Sequence, residues 1–225
     1  MGRLFGNKGE ILVMKKDEHH HDHHHHDHHH HHKPPESFEE ARTLAIEALL
    51  IEKGLMTSEE VDKLIEFYVT DVGPMNGARV VAKAWVDAGF KKRLLENGNK
   101  AIAELGLENT QSELVVLENT PEVHHVVVCT LCSCYPWPLL GLPPTWYKST
   151  AYRSRTVMEP RSVLREFGLE LNDSVEVRVV DSNAEVRYLV LPERPEGTQH
   201  MGEEELVKII SRDSMIGVSK VKAPQ

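Results

Sequence analysis

The chain has 225 residues, a length that accommodates one compact domain and an additional arm. Its 26 Lys and Arg residues against 35 Asp and Glu residues give a formal charge of -9, and no basic stripe with interleaved aromatics occurs, so nucleic acid is not an expected partner. No apolar run approaches the roughly 20 residues that cross a bilayer, and the run Ile11–Met14 is too short for the core of a signal peptide. We therefore expect a cytoplasmic protein without a membrane partner.

Residues 1–36 differ in composition from the rest of the chain, and we expect them to form a disordered arm. A histidine tract runs from His19 to His32 and is interrupted by Asp22 and Asp27. An expression tag and a native metal-rich arm both fit such a tract, and the interruptions favour the native arm. Imidazoles at this density bind cobalt, nickel, copper or zinc ions loosely, which suits storage or delivery better than catalysis.

The next segment, residues 37–73, has the features of a helical arm. Each of two amphipathic helices is preceded by a capping box, the first helix ending near Gly54 and the second before Gly73. The two capping boxes are Ser37 with Glu40 and Thr57 with Glu60. We assign residues 74–225 to a metal-binding α+β domain.

Within residues 74–225 the hydrophobic pattern changes from helical to strand-like and back again. Helices first and strands later, with a hairpin flanked by helices, predict an α+β architecture. The proline- and aromatic-rich stretch 135–147 is expected to be irregular, either as a stiff core-filling loop or as the wall of a small apolar pocket. The predicted elements are helices over Arg79–Val86 and Phe90–Leu105, strands over Leu114–Glu118 and His124–Val128 joined by a turn, a helix over Pro160–Phe167, a hairpin of Val175–Val180 with Ala184–Leu191, and a helix over Glu203–Ser211.

All three cysteines lie in the six residues from Cys129 to Cys134, which we call the claw loop. Thiolates this close together can converge on one soft metal ion, and the single residue between Cys132 and Cys134 brings backbone amide nitrogens within reach of the same ion. Half of a tetrahedral zinc site, a thioredoxin-like redox pair and a Cys-His-Asp nucleophile remain alternatives. His124 and His125 are adjacent in a strand, so at most one of them can face the claw loop.

The claw loop and its downstream sequence resemble a known family. Residues 128–152, which read VCTLCSCYPWPLLGLPPTWYKSTAY, closely resemble the metal-binding segment of the nitrile hydratase α subunit. The resemblance covers about residues 37–220 and implies an N-terminal helical arm followed by a layered α/β/β/α domain. Its other matching segments are Asn76–Arg79, Glu118–Pro121, Tyr152–Arg155, Arg187–Tyr188 and Asp213–Gly217.

The resemblance implies a trivalent, non-corrin metal ion bound by the claw loop. Cys129 corresponds to the axial thiolate, Cys132 and Cys134 to the equatorial ones, and the deprotonated amides of Ser133 and Cys134 to the two remaining ligands. Cys132 is expected as sulfinic acid and Cys134 as sulfenic acid. Thr130 and Tyr135 match the cobalt members rather than the iron members, so Co(III) is expected in preference to Fe(III).

The resemblance also implies the partners and the reaction. We expect a nitrile hydratase β subunit that completes the pocket and packs on the helical arm, an α2β2 heterotetramer and a cobalt-loading activator protein. The substrate is a small nitrile, hydrated to an amide by water or by the Cys134 sulfenate, with Gln111 and Arg187 in supporting catalytic roles. The alternatives are a thiocyanate hydrolase γ subunit and, from another class, a non-catalytic metal-storage or carrier protein.

Overall fold

The computed structural model describes residues 37–68, 72–109 and 112–224. The histidine tract and Gln111 therefore lie outside the described residues. Eleven helices and four strands are found within the described ranges. They are α1 Phe38–Glu52, α2 Ser58–Phe67, α3 Met75–Val86, α4 Ala88–Glu96, α5 Gly98–Ala103, β1 Glu113–Glu118, β2 Val123–Val128, α6 Trp137–Leu140, α7 Thr145–Lys148, α8 Thr150–Met158, α9 Pro160–Glu166, β3 Glu176–Asp181, β4 Val186–Leu191, α10 Glu203–Val207 and α11 Arg212–Ile216.

The described chain divides into two compact units at the boundary between Leu64 and Ile65. In the first unit the predicted caps are present: Ser37 Oγ accepts from the Glu40 amide at 3.1 Å, and Thr57 and Glu60 bond to each other reciprocally. Neither α1 nor α2 has a buried residue. The first two predicted helices are thus confirmed, although their apolar side chains are exposed or only partly buried.

The second unit carries the four strands, and their pairing differs from the prediction. β1 pairs with β4, and β2 pairs with β3, both in parallel register. The expected hairpin of β3 with β4 is wrong, because the connection between them leads from one two-stranded sheet to the other. Asn183 shapes that connection by accepting from the amides of Glu185 and Val186. Three consecutive buried residues, Leu189–Leu191, give β4 the interior character that is typical of parallel strands.

The helices of this unit are more numerous than predicted, and apart from α3, which begins earlier at Met75, they are shorter. The single helix expected over Phe90–Leu105 is interrupted at Asn97, which ends α4 and caps α5 by accepting from the Lys100 amide at 3.0 Å. The stretch expected to be irregular contains α6 and α7, each only four residues long. The predicted last helix ends at Val207, and α11 follows it separately. None of the described helices is long and apolar enough to span a bilayer.

Helices and strands of the second unit enclose one apolar core that includes Cys129. Gly217 ends α11 with a positive φ of 93° and lies so close to β2 that a Cβ atom there would be 2.0 Å from the His125 carbonyl oxygen. A residue without a side chain is therefore required where the C-terminal segment meets β2. This approach leaves β2 buried from His124 to Val128, directly before the claw loop.

Candidate metal centre

The claw loop connects β2 to α6 at the edge where β2 leaves the core. Cys129 is completely buried, Cys134 is half-buried and Cys132 is exposed. The loop thus begins inside the protein and rises to the surface within four residues. A sulfur at its centre can be reached from solvent, while its first sulfur is fixed by the core.

The three sulfurs converge as the sequence predicted. Cys132 Sγ lies 3.3 Å from Cys129 Sγ and 3.1 Å from Cys134 Sγ, and all three sulfurs lie within 4.8 Å of one another. Within the described ranges no histidine or carboxylate joins this group. A closed tetrahedral zinc site needs a fourth protein ligand of that kind, so the geometry disfavours it.

Hydrogen bonds and burial shift the pKa values of two thiols of the claw loop in opposite directions. Bonds from the Cys134 and Cys129 side chains, with further ones from the Cys134 and Ser133 amides, lower the pKa of Cys132 to about 7. Burial, together with the adjacent Cys132 and Cys129 sulfurs, raises the pKa of Cys134 to about 12. Of these two thiols, Cys132 is therefore the one that ionises first. Within the loop, the Cys132 amide also donates to Cys129 Sγ at 3.3 Å, so a backbone nitrogen already lies beside the first sulfur.

Side chains from outside the loop hold its backbone. Tyr152 donates to the Val127 carbonyl at 2.7 Å, just before the loop, and Tyr147 donates to the Cys134 carbonyl at 2.9 Å, at its end. Burial raises the pKa of both phenols well above the usual range, so both remain donors. Rings of Tyr135, Trp146 and Phe167 pack around them. The aromatic stretch thus fills core space behind the claw loop, the first of its two predicted roles.

The first residue after Cys129 is held by polar side chains. Asp181 accepts from the Thr130 amide at 2.9 Å and from its hydroxyl at 2.5 Å, and Arg153 donates to its carbonyl at 3.4 Å. Sequence reasoning missed Asp181 and Tyr147, because each lies far along the chain from the atom that it contacts. The only local indication was that Asp181 directly follows a predicted strand.

The two strand histidines lie away from the claw loop. His124 is bonded to Asn119 at 3.1 Å and to the Gly217 carbonyl at 2.7 Å, and His125 is bonded to Asn119 through its ring and its amide. Burial lowers the pKa of both imidazoles. Both are structural residues that connect β2 to neighbouring segments, as expected for ordinary strand histidines.

Arg187 lies in β4, and its positive charge lowers the pKa of Cys134 against the larger opposing effect of burial. Its Nη1 atom and the Nε atom of Arg153 are both buried, and neither has a hydrogen-bond partner among the described residues. Unpaired buried guanidinium nitrogens are costly unless an acceptor is supplied. Two donors beside the claw loop thus remain available to an anionic group.

An open cleft of about 390 Å³ adjoins the loop at Thr130. Its lining is mainly apolar and includes Val157 and Met158 of α8, with Arg153 as the charged member. Met158 is 83% exposed and Leu131, in the loop itself, 86% exposed. Two large apolar side chains near the start of the claw loop are thus almost fully exposed in this chain.

Comparison with known proteins identifies a family to which this sequence is similar. A family model described as nitrile hydratase, alpha chain, matches residues 37–219. The chain is 57% identical over 188 residues to the high-molecular weight cobalt-containing nitrile hydratase subunit alpha of Rhodococcus rhodochrous, covering 83% of this chain and 93% of the relative. It is 45% identical over 195 residues to the thiocyanate hydrolase subunit gamma of Thiobacillus thioparus, covering 81% of this chain and 80% of the relative.

Solved structures agree with the sequence comparison. A variant of the Fe-type nitrile hydratase from Comamonas testosteroni Ni1 superposes with a TM-score of 0.76 at 44% identity, covering 83% of this chain and 91% of that one. The predicted α+β fold is thereby confirmed, and so is the resemblance that the claw loop suggested.

Proposed function

This chain belongs to the nitrile hydratase α-chain family, and we propose that it is the α subunit of a cobalt-containing nitrile hydratase. Such an enzyme is a hydro-lyase that adds one water molecule to a nitrile and releases an amide. The observation that carries the proposal is the convergence of the Cys129, Cys132 and Cys134 sulfurs within 4.8 Å. They lie in the part of the chain that the family model matches.

The donor atoms of the claw loop fit one transition-metal ion. We propose that the three sulfurs and the amide nitrogens of Ser133 and Cys134 bind Co(III), with Cys132 as sulfinic and Cys134 as sulfenic acid. The relative at 57% identity is named as cobalt-containing, which supports cobalt over iron. When bound, the ion supplies Lewis acidity that polarises the nitrile through its nitrogen.

The residues of this chain then have distinct tasks. Cys134 is half-buried, so the oxygen of its sulfenate can face the substrate and either attack the nitrile carbon or receive the proton of an attacking water. Arg187 supplies positive charge to that group. Gln111, which lies outside the described residues, is retained as a proposed supporting residue on sequence grounds alone.

Charge balance supports the need for a partner chain. Three anionic sulfur groups (one thiolate, one sulfinate and one sulfenate) and two amidates carry five negative charges against three on the ion, so cationic donors must surround the site. Within the described part of the chain, Arg153 and Arg187 each have one buried nitrogen without a partner, and further arginines are proposed to come from a β subunit. That subunit would cover Leu131 and Met158, and the exposed apolar side chains of α1 and α2 suit the helical arm to packing on it in an α2β2 assembly.

One experiment tests the proposal. The chain is co-expressed with its β subunit in cobalt medium, and the assembled complex is assayed with aliphatic nitriles and with thiocyanate. Nitrile hydration, together with two added oxygens on the Cys132 side chain and one on Cys134 by mass spectrometry, is the expected result. Unoxidised sulfurs with exchangeable metal would instead identify a metal carrier.

The second candidate is a thiocyanate hydrolase γ subunit, favoured by the 45% identity to that relative. Its claw loop would use the same donors on a different substrate. A complex that converts thiocyanate and leaves nitriles unchanged would establish this function and overturn the first.

A further inference from the structure

Asp181 ends β3 at the edge of the sheet where the claw loop begins. The parallel register places Asp181 opposite Val128, the last residue of β2, and the next amide, that of Ser182, donates to the Val128 carbonyl at 2.7 Å. Both strands therefore end at the same level. The Asp181 side chain reaches the first exposed residue of the loop, Thr130.

All three polar groups of Thr130 have partners. The two Asp181 oxygens accept from its amide and its hydroxyl, and Arg153 Nη1 donates to its carbonyl. Hydrogen bonds to a carboxylate are roughly twice as strong as neutral ones. This geometry fixes the position of the Thr130 backbone although its side chain is exposed to solvent.

Thr130 is one of the two residues that connect the first two cysteines. Cys129 is immobilised in the core, whereas Thr130, Leu131 and Cys132 are all exposed. The Cys132 amide lies 3.3 Å from Cys129 Sγ, so the turn between them is already closed. Fixing one backbone residue costs about 1–2 kcal/mol of conformational entropy, and a loop that is held in advance avoids that cost when metal binds.

We propose that Asp181 is a positioning residue that holds the claw loop in its metal-binding shape. The effect on metal binding rests on the proposed function, whereas the effect on the loop itself does not. Asp181 acts through Thr130 and contacts none of the three sulfurs. Because it is exposed, its removal should disturb the loop far more than the overall stability.

The test compares Asp181→Ala and Asp181→Asn with wild type and with a matched control, Glu176→Ala. Glu176 begins the same strand, is also exposed, and its carboxylate pairs only with Arg178 in the described structure. Each variant is prepared as the full chain with its β subunit. Three quantities are measured: cobalt bound per chain at limiting cobalt, the sulfur-to-cobalt charge-transfer absorption, and amide hydrogen exchange of residues 129–134 before metal is added.

In Asp181→Ala we expect faster hydrogen exchange of the loop amides and a shifted absorption band. Cobalt affinity should fall about 10–100-fold, because this is the typical effect of losing a residue that orients metal ligands. Asp181→Asn should recover part of each effect, because its amide oxygen still accepts from the Thr130 amide. Glu176→Ala should match wild type. Loop exchange and cobalt binding in Asp181→Ala equal to those of Glu176→Ala would overturn the proposal.

The two proposals fail in different ways. A wild-type complex that binds no cobalt contradicts the proposed function, and the exchange of the loop amides then still decides the role of Asp181. A wild-type complex that binds cobalt normally, with no difference in either Asp181 variant, contradicts only the positioning role.

Discussion

Tyr147 donates its hydroxyl proton to the carbonyl oxygen of Cys134 across 2.9 Å. Tyr147→Phe removes that bond without changing the shape of the core, and we expect a loss of about 1 kcal/mol in the free energy of unfolding together with an altered sulfur-to-cobalt absorption band. Tyr135→Phe is the control, because the Tyr135 hydroxyl donates to Leu140 at 3.2 Å and not to the claw loop. Denaturant unfolding and absorption spectra separate the two effects. Equal spectra for both variants would argue against a role for Tyr147 in shaping the site.

Replacing any claw cysteine by serine removes one soft sulfur donor. A serine oxygen is a poor substitute for a thiolate sulfur as a ligand. We therefore expect the nitrile hydration activity of Cys129→Ser, Cys132→Ser and Cys134→Ser to fall more than about 100-fold each. This loss exceeds the roughly 10–100-fold that is typical when a residue supporting a metal ligand is replaced. Cobalt content and activity are measured on the same samples. Retained activity in any one of the three would remove that sulfur from the proposed ligand set.

Arg187 is expected to act through its charge on Cys134 and through its unpaired Nη1 atom. Arg187→Gln should lower kcat by about 10–100-fold, whereas Arg187→Lys should recover only part of the loss, since it keeps the charge without the planar fork. Arg178→Gln is a suitable control, because Arg178 pairs with Glu176 at the surface. If Arg187→Gln and Arg178→Gln have equal kcat values, Arg187 has only a structural role.

The buried His124 predicts a dependence of stability on pH. The Asn119 oxygen accepts from the His125 amide, which turns the Asn119 NH2 group toward His124 Nδ1 and leaves Nε2 to donate to the Gly217 carbonyl. These hydrogen bonds fit the neutral imidazole of His124 in the folded protein. Burial accordingly lowers the pKa of His124 below its ordinary value of 6.5. Because the unfolded chain takes up the proton first, the free energy of unfolding should fall as the pH drops through that value.

Urea unfolding between about pH 7.5 and about pH 5.5 brackets the ordinary histidine pKa and measures this slope. His124→Gln should be less stable near neutral pH and show a flatter profile. His200→Gln, at an exposed position, should retain the wild-type slope. A slope that His124→Gln leaves unchanged would assign the acid sensitivity to other groups.

The histidine tract is predicted to assist metal loading rather than catalysis. Replacing residues 19–32 with a Gly/Ser segment of equal length should leave the activity per bound cobalt unchanged and slow cobalt uptake several-fold at low cobalt concentration. The time course of cobalt incorporation into the metal-free complex measures this. Identical time courses for the two chains would leave the tract without a loading role.

Features that depend on neighbouring residues could be predicted from the sequence, and features that depend on distant ones could not. The caps at Ser37 and Thr57 and the convergence of three cysteines are determined within a few positions, and all were predicted. The break at Asn97 was missed because apolar periodicity continues across it. The hairpin was wrong because strand partners are selected by burial on both faces of a sheet, which pairs β4 with β1, some seventy residues away, in preference to its neighbour in sequence.

The site shows the same division. Arg187 was identified through family resemblance, and Asp181 and Tyr147 were missed because nothing close to them in the sequence indicates that they contact the claw loop. The role of Asp181 becomes visible only once β2 and β3 are placed side by side, and that of Tyr147 only once the fold brings α7 beside Cys134.

The parallel pairing of β2 with β3 also has a consequence for biosynthesis. Thr130 and Asp181 are 51 residues apart in the chain, and Cys134 precedes Asp181 by 47. At translation rates of roughly 5–20 residues per second, all three sulfurs are therefore synthesised about 2–9 s before the carboxylate that holds their loop. During that interval a nascent chain carries the thiols without their supporting strand. Metal that reaches the chain during this interval encounters a claw loop that Asp181 does not yet hold. Metal that is delivered after synthesis of β3 encounters the loop in its held conformation.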